Sequence, residues 1–476
     1  MIKLTCFTLA AITVQTLSAA APTYNKDIAP ILNSQCARCH RPGEVAPFSL
    51  LTYQDAAKRA GLIATVTTAR YMPPWKPEPG FAAFQHERRL TPEQIALIAE
   101  WAQAGAPEGN PKDKPAAPVF ADGWQGGEPN LVIKAGTGFN VPAEGPDRFQ
   151  CFVLPLNLEQ DSYIQTAEFR PGNRSVVHHG VIYVDETGSA RRRAANSPDG
   201  SYPCFGGPGV AATGLLDGWA PGTITTAGDP KLSVPVKKGT DLVLQIHYHP
   251  SGKAETDISS VGVTFSGPPA HGRTSLIMVN TNIDIAPGES GYVSKSTITL
   301  PRDVEFSAIF PHAHWLCKDM KIDAYLPTGE VEHLLWIKDW DFNWQGDYRY
   351  DKPIQLPKGT RVEMQYTFDN SAKNIRNPSN PPARVRFGEQ TPDEMAVAFF
   401  TVVLPTPADV APFQRDMRLA LIEDMLASGD MNALRSIPGV GGRARQMLKQ
   451  FDTNGDGKLD EAERVPLMQL IRSMMP

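Results

Sequence analysis

The sequence predicts a multi-domain chain: a small all-α module, then two all-β sandwiches, then an α-helical tail. Three observations predict it. Around residues 91–104 the apolar Ile95, Leu97, Ile98 and Trp101 recur at helical spacing. From Trp124 to Pro405 the pattern changes to short runs such as Leu131-Val132-Ile133, Val181-Ile182-Tyr183-Val184 and Val362-Glu363-Met364, separated by turn residues, which is the spacing of antiparallel sandwiches. After Pro405 the helical period returns. A length of 476 residues suits two to four domains with their own cores. The 39 Gly and 43 Pro favour many turns between short strands over long helices.

Residues 1–20 carry an early Lys3, an apolar stretch from Phe7 to Val14 and the small residues Ser18-Ala19-Ala20-Ala21 before Pro22. This is the pattern of a secretory signal peptide, so the mature chain is expected in the periplasm or secreted, where disulfides persist. Cys6 leaves with it. A formal net charge of -5 shows no basic footprint, which argues against nucleic acid or an anionic membrane surface as partner. No later apolar run reaches transmembrane length.

Residues 21–112 form the first module. They carry Cys36-Ala37-Arg38-Cys39-His40, and in an exported chain CxxCH reads as covalent c-type haem attachment, two thioethers holding the porphyrin and His40 one axial position. A zinc half-site or a redox dithiol would need a second Cys or His pair, or a βαβ pattern, and neither follows. Met72 is the only methionine between His40 and Asn110 and lies in Tyr71-Met72-Pro73-Pro74-Trp75, which makes it the expected second axial ligand, with His86 as the alternative. Thr91 as N-cap and Pro92 at the first position open the helix over 91–104. The order of CxxCH, methionine loop and closing helix resembles a small class I cytochrome c. Such a haem transfers electrons and leaves no open position for chemistry. Residues 113–123 continue a stretch rich in Pro, Lys and Ala that begins at Ala106, and are expected to be a linker.

The sandwiches are expected over residues 124–270 and 271–405. Six of the ten histidines fall here in three doublets, His178-His179, His247-Tyr248-His249 and His312-Ala313-His314, within apolar, strand-like segments. On a strand, residues i and i+2 share a face, so the two HxH pairs each present two rings side by side, a chelate for a transition metal. Adjacent His178 and His179 face opposite ways on a regular strand, and joint ligation needs a bulge or a strand end, which Gly180 permits.

Over this region the chain resembles the copper type II, ascorbate-dependent monooxygenases, the family of peptidylglycine alpha-hydroxylating and dopamine beta-monooxygenases. The resemblance implies two jelly-roll-like sandwiches, each holding one copper, that face one another across a solvent-filled cleft. It assigns His178, His179 and His247 to a histidine-only copper, and His312, His314 and Met395 in Thr391-Pro392-Asp393-Glu394-Met395 to a second, catalytic copper. It also implies a disulfide between Cys151 and Cys204, leaving Cys317 unpaired. Three imidazoles suit an electron-storing copper, and two imidazoles with a soft thioether favour the Cu(I) that meets O2. Met364 is the fallback thioether. The peptide-hydroxylating members hold a substrate carboxylate with an Arg two residues before the HxH pair and a Tyr four residues after the Met, where this chain has Phe310 and Phe399. Peptide amidation is therefore not expected. His249 stands open as an exchangeable ligand, a solvated neighbour or a donor behind the ligands, and His271 and His333 are expected to be surface residues without partners.

Residues 406–476 form the tail, with helices expected over 413–427, 430–436, 442–451 and 461–475. Between the last two, Asp452-Thr453-Asn454-Gly455-Asp456-Gly457-Lys458-Leu459-Asp460-Glu461-Ala462-Glu463 fits an EF-hand loop at every position. Asp452, Asn454 and Asp456 supply side-chain oxygens, Lys458 a carbonyl, Asp460 the ninth position and Glu463 a bidentate carboxylate, with Gly457 at the sharp turn. One calcium ion in a structural role is expected.

Together these readings point to an exported monooxygenase with two coppers, one haem c and one calcium. It would act on a small organic substrate with O2, the haem, a redox partner or ascorbate supplying electrons. The alternatives are a non-catalytic haem and copper electron-transfer or metal-binding protein, and zinc-bound adhesion modules in which Met395 is dispensable.

Overall fold

The computed structural model describes residues 21–428, 450–454 and 459–474, except 45, 121, 122, 206, 211–213, 222 and 224. The signal-peptide segment 1–20 and the helices expected over 430–436 and most of 442–451 lie outside the described residues. Contacts divide the chain into two compact units, Met1–Pro74 with Arg88–Phe120, and Trp75–Glu87 with Ala121–Pro476.

The described part of the first unit is helical. A π-helical turn, Tyr24–Ile28, runs into α1 (Ala29–Gln35), followed by α2 (Tyr53–Ala57), α3 (Ala60–Thr68) and α4 (Pro92–Gln103). The predicted signals start α4: Thr91 Oγ1 accepts from Gln94 N at 3.2 Å, Gln94 Oε1 accepts from Thr91 N at 2.9 Å, and Pro92 occupies the first turn. Its Ile98 and Trp101 are fully buried and pack with Ile28, Leu32, Leu50 and Ile63. Substituting Trp101 by Ala would cost about 3 to 5 kcal/mol.

The second unit is built of antiparallel sheets. Its first sandwich contains β1 (Leu131–Lys134), β2 (Phe139–Val141), β3 (Arg148–Pro155), β4 (Ser162–Arg170), β5 (Val177–Asp185), helix α5 (Ser189–Arg193), β6 (Ser201–Pro203), β7 (Gly214–Trp219), β8 (Val234–Val236), β9 (Asp241–Tyr248), β10 (Glu255–Asp257) and β11 (Ser260–Phe265). A five-stranded sheet ordered β6-β3-β9-β5-β7 covers a four-stranded sheet ordered β1-β11-β4-β8. Phe152, Ile164, Phe169, Ile182, Leu244 and Val261 fill the space between them. The central strand β9 is buried at every position, so its Leu242-Val243-Leu244 run is continuous rather than alternating. The disulfide Cys151–Cys204 joins β3 to the chain leaving β6.

The second sandwich contains β12 (Gly272–Val279), β13 (Asp284–Ile285), β14 (Ser290–Thr299), β15 (Val304–His312), β16 (Cys317–Tyr325), β17 (Val331–Ile337), β18 (Tyr348–Leu356), β19 (Arg361–Asp369), β20 (Val385–Arg386) and β21 (Val397–Leu404). Its sheets are ordered β12-β21-β15-β18 and β14-β19-β16-β17, with Phe306, Ile322, Leu335, Met364, Phe368 and Phe400 in the core. The excursion Trp75–Glu87 belongs to this sandwich: Phe84 bridges to Tyr350 and enters the core, and Glu78 N donates to Trp336 O at 2.7 Å. Cys317 is buried in the same core. Helix α6 (Val410–Ser428) seals it with Phe413 and Met417, and α7 (Glu461–Met474) follows the acidic loop. No helix among the described residues is long and apolar enough to cross a membrane.

Candidate metal centre

Strands β5 and β9 pair so that His179 lies opposite His247, and the register shifts between Val177 and His179. His178 is therefore the bulged residue. A regular strand would send His178 and His179 to opposite faces, and the bulge turns both toward His247. His178 Nδ1 and His179 Nδ1 lie 3.2 Å apart, His179 Nδ1 and His247 Nδ1 lie 3.4 Å apart, and the three residues form a group that could hold a metal ion. At Gly180 a β-carbon would lie 3.1 Å from the Phe169 ring, a contact tight enough that the ring would have to shift by a few tenths of an ångström.

Asp147 aims this cluster. Its Oδ2 accepts from His247 Nε2 at 2.9 Å, so the proton sits on Nε2 and the Nδ1 lone pair faces His179. Its Oδ1 accepts from His249 Nδ1 at 2.8 Å, and the Thr391 hydroxyl also donates to Oδ2. Burial raises the Asp147 carboxyl, but the hydrogen bonds from His247, His249 and Thr391 outweigh it and leave the group well below the usual carboxylate range. His249 thus stands behind the cluster, exposed, its pKa raised by the bond to Asp147. Burial pushes His178 down to about 3 and His179 well below the ordinary value. Lone pairs this close repel one another unless a proton or a cation sits between them.

The second group stands at the end of β15. Gln345 Nε2 donates to Phe342 O at 3.1 Å, which turns its Oε1 toward His312 Nδ1 at 2.6 Å. His314 Nδ1 donates to the Asp393 carbonyl at 2.9 Å. Both rings therefore carry their proton on Nδ1 and leave Nε2 free to bind a metal. Burial holds His312 at about 4 and His314 at about 3. Met395 lies two residues before Val397, the cross-strand partner of His312, and lines the same cavity as both histidines. The fallback Met364 is buried in the sandwich core and is not among the lining residues.

Glu394 ties these ligand segments together. Its fully buried carboxylate accepts backbone N–H groups from His314 at 2.9 Å, Leu316 at 2.6 Å and Met395 at 3.1 Å. Burial pushes this carboxyl up to about 8, with those amides pulling the other way.

A cavity of about 540 Å³ joins the two groups, lined by His179, His247, His312, His314 and Met395. The resemblance implies centres separated by a solvent-filled cleft. Here the His179 and His312 ring centroids are 6.3 Å apart, and the Phe342 ring stacks on His178 at 4.9 Å while meeting His314 edge-on at 5.5 Å. Phe310 and Phe399 are cross-strand partners with centroids 6.0 Å apart, both facing the cavity. His271 and His333 are exposed, and each has a partner: Pro405 O at 3.2 Å for His271, and Asp323 at 2.7 Å together with the stacked Phe81 ring for His333.

In the first unit Cys36-Ala37-Arg38-Cys39-His40 forms a turn after α1, with Cys39 N and His40 N donating to Cys36 O at 3.1 and 3.0 Å. His40 Nδ1 donates to Phe48 O at 3.1 Å, which leaves Nε2 for an axial bond. Burial pushes the Cys36 thiol up to about 12 and raises that of Cys39. Met72 precedes a cis bond to Pro73 and is half-buried, and His86, in the second unit, is exposed.

In the acidic loop Glu463 is buried against its own turn. Its Oε1 accepts from Thr453 N at 2.7 Å and Asn454 N at 3.1 Å, and its Oε2 from Asp460 N at 3.1 Å. Asp460 Oδ1 in turn caps α7 by accepting from Glu463 N at 3.1 Å. Asp452 lies within the described residues; Asp456 and Lys458 lie outside them.

No family model matches the chain, and no curated protein matches it. Among solved structures it is similar to the STIV MCP, with 8% identity and a TM-score of 0.26 over 59% of this chain and 96% of that one. The major capsid protein P2 from bacteriophage PM2 has 8% identity and a TM-score of 0.22 over 52% of this chain and 99% of that one. The PBSX exported protein XepA has 8% identity and a TM-score of 0.15 over 50% of this chain and 86% of that one. Likenesses this weak bear neither on the fold nor on the activity.

Proposed function

We propose that the protein is an exported copper monooxygenase that hydroxylates an organic substrate with O2, drawing electrons through a covalently attached haem. The observation that carries this reading is the shared cavity: four imidazoles and the Met395 side chain line it, and His178 completes the three-nitrogen cluster at its edge. His178, His179 and His247 would hold one copper, and His312, His314 and Met395 the other. Copper bound there supplies one-electron transfer and activation of O2. The overall balance is one C–H bond, O2, two electrons and two protons giving C–OH and water.

The chain's own residues prepare that site. Asp147, Gln345 and the Asp393 carbonyl hold protons on the outward nitrogens of His247, His312 and His314, so that the inward nitrogens are free. Burial keeps His178, His179, His312 and His314 neutral, the state in which imidazole binds metal. Phe310 and Phe399 give the cavity an apolar wall beside the second group.

Cys36 and Cys39 would carry the haem, with His40 and Met72 as its axial ligands. The fit rests on the CxxCH turn and the free Nε2 of His40. The haem would take the place of ascorbate or an external redox partner as electron donor. Asp452, Asn454, Asp456, Lys458, Asp460 and Glu463 would hold a structural calcium. The Cys151–Cys204 disulfide suits an oxidising compartment.

The test is metal analysis with copper K-edge absorption on reduced, periplasmically matured protein, comparing wild type with Met395→Ala. Two coppers per haem, with a sulfur shell that disappears in the variant, are expected. Zinc in their place, or copper without sulfur, would return the protein to the non-catalytic metal-binding class.

A further inference from the structure

We infer that the cavity binds an apolar carboxylic acid, its carboxylate gripped by Arg273 and its hydrocarbon body lying across Phe310, Phe399 and Ile277. The inference deepens the hydroxylase reading, on which it rests for what happens at the histidines. Binding of the acid itself needs only the cavity.

The sheet β12-β21-β15-β18 forms one wall of this cavity, and its register sets out a graded strip. Val279, Val397 and His312 form one row, and Ile277, Phe399 and Phe310 the next on the same face. Beyond them Ser275 pairs with Thr401, and Arg273 pairs with Val403. At about 3.3 Å per residue, the Arg273 row lies about 20 Å along β21 from the row of His312. The strip thus runs from metal-binding side chains, across three large apolar ones, to a cation.

Arg273 is the unusual member. Its side chain is half-buried at the cavity wall, and its pKa is lowered by the surrounding protein and partly restored by Asp217. It presents five N–H donors. Among the described residues its one hydrogen bond is to Leu216 O at 2.9 Å, so the remaining donors are open to the cavity they line. Asp217 and Asp347 stabilise the cation through space without hydrogen-bonding to it. Asp347 pairs with Arg349 at 3.3 Å, Asp217 Oδ1 accepts from Gly218 N at 2.8 Å, and neither makes an ion pair with Arg273; Glu389 also lines the cavity. A guanidinium whose free donors face a cavity is ready to take an anionic acceptor, and the flat fork of its N–H groups matches the two oxygens of a carboxylate. Phe310 and Phe399 keep the acid group away from the histidines, and Arg273 fixes it at the opposite end.

The experiment is calorimetric titration of the full-length matured protein, both as isolated and after chelation, with octanoate and with its uncharged counterpart octanamide. Octanoate should bind about ten-fold or more tightly, the worth of a charge-assisted bond. Arg273→Gln should erase that difference while octanamide binding stays, and Arg273→Lys should keep part of it, which covers the case in which the glutamine variant fails to fold. Equal binding of acid and amide by wild type, or a preference for the acid that survives Arg273→Gln, would overturn the inference. Acid preference without copper at the histidines would uphold it while removing the hydroxylase; copper retention without acid preference would sink it and spare the hydroxylase.

Discussion

Glu394 accepts the backbone N–H of His314 at 2.9 Å across 80 residues of sequence, and through its other bonds also anchors Leu316 and Met395. One buried side chain therefore sets the spacing between the histidine pair and the methionine. Glu394→Ala leaves those amides without acceptors in a dry site, at a cost of about 3 kcal/mol or more. The expected outcome is a lower urea midpoint together with loss of metal from the His312 site, while the three-histidine site keeps its metal. Equal loss at both sites would mean that Glu394 acts on the whole fold.

Asp147 makes the corresponding prediction for the first group. It is the acceptor that turns His247 Nδ1 inward, and it also receives the Thr391 hydroxyl from the loop leading to Met395. Asp147→Asn removes the charge but keeps the shape. Metal affinity at the three-histidine site should fall about 10- to 100-fold, with a lower thermal stability as well, because the amide cannot accept at both positions and the charge-assisted bonds are lost. Competition titration against a chromophoric chelator reads the affinity, and unchanged binding would show that the histidines hold their orientation without it.

How much of this was legible follows from the range of each signal. The helix over 91–104 is announced by Thr91, Pro92 and its apolar spacing, all local, and it forms as Pro92–Gln103. The His178 bulge is hinted at by Gly180, next to a doublet that no regular strand could use. Asp147 was not legible, because nothing in Pro146-Asp147 shows that the fold carries it to a histidine 100 residues away. Glu394 stood beside Met395 in a stretch already singled out, yet its partners are backbone amides, which leave no trace in side-chain pattern. The excursion Trp75–Glu87 was equally hidden, since a single bridge at Phe84 is too short to produce an alternating run.

The Cys151–Cys204 disulfide spans a sequence separation of 53 residues and ties β3 to the chain after β6. The double variant Cys151→Ser with Cys204→Ser should lose about 3 to 4 kcal/mol of stability, because the unfolded chain regains that loop's freedom. Chemical denaturation of oxidised and variant protein measures it. Cys317 provides the control: buried, its thiol pushed well above the ordinary value by burial, it should resist alkylation until the second sandwich unfolds.

The buried histidines make stability depend on pH in a definite direction. His312 is held at about 4 and His314 at about 3 by burial, below an unfolded value of about 6.5. The unfolded chain therefore binds more protons between those values, so the contribution of each ring is fully present above about pH 6.5 and is lost as pH falls toward its folded pKa. At about pH 5 each ring should have given up about 2 kcal/mol in metal-free protein, at 1.36 kcal/mol per pKa unit. Urea unfolding of chelated protein at about pH 7 and about pH 5, with His312→Gln alongside, tests this. The variant should show the shallower loss, and a loss equal to that of wild type would mean that the His312 ring takes up its proton as readily in the folded state as in the unfolded chain.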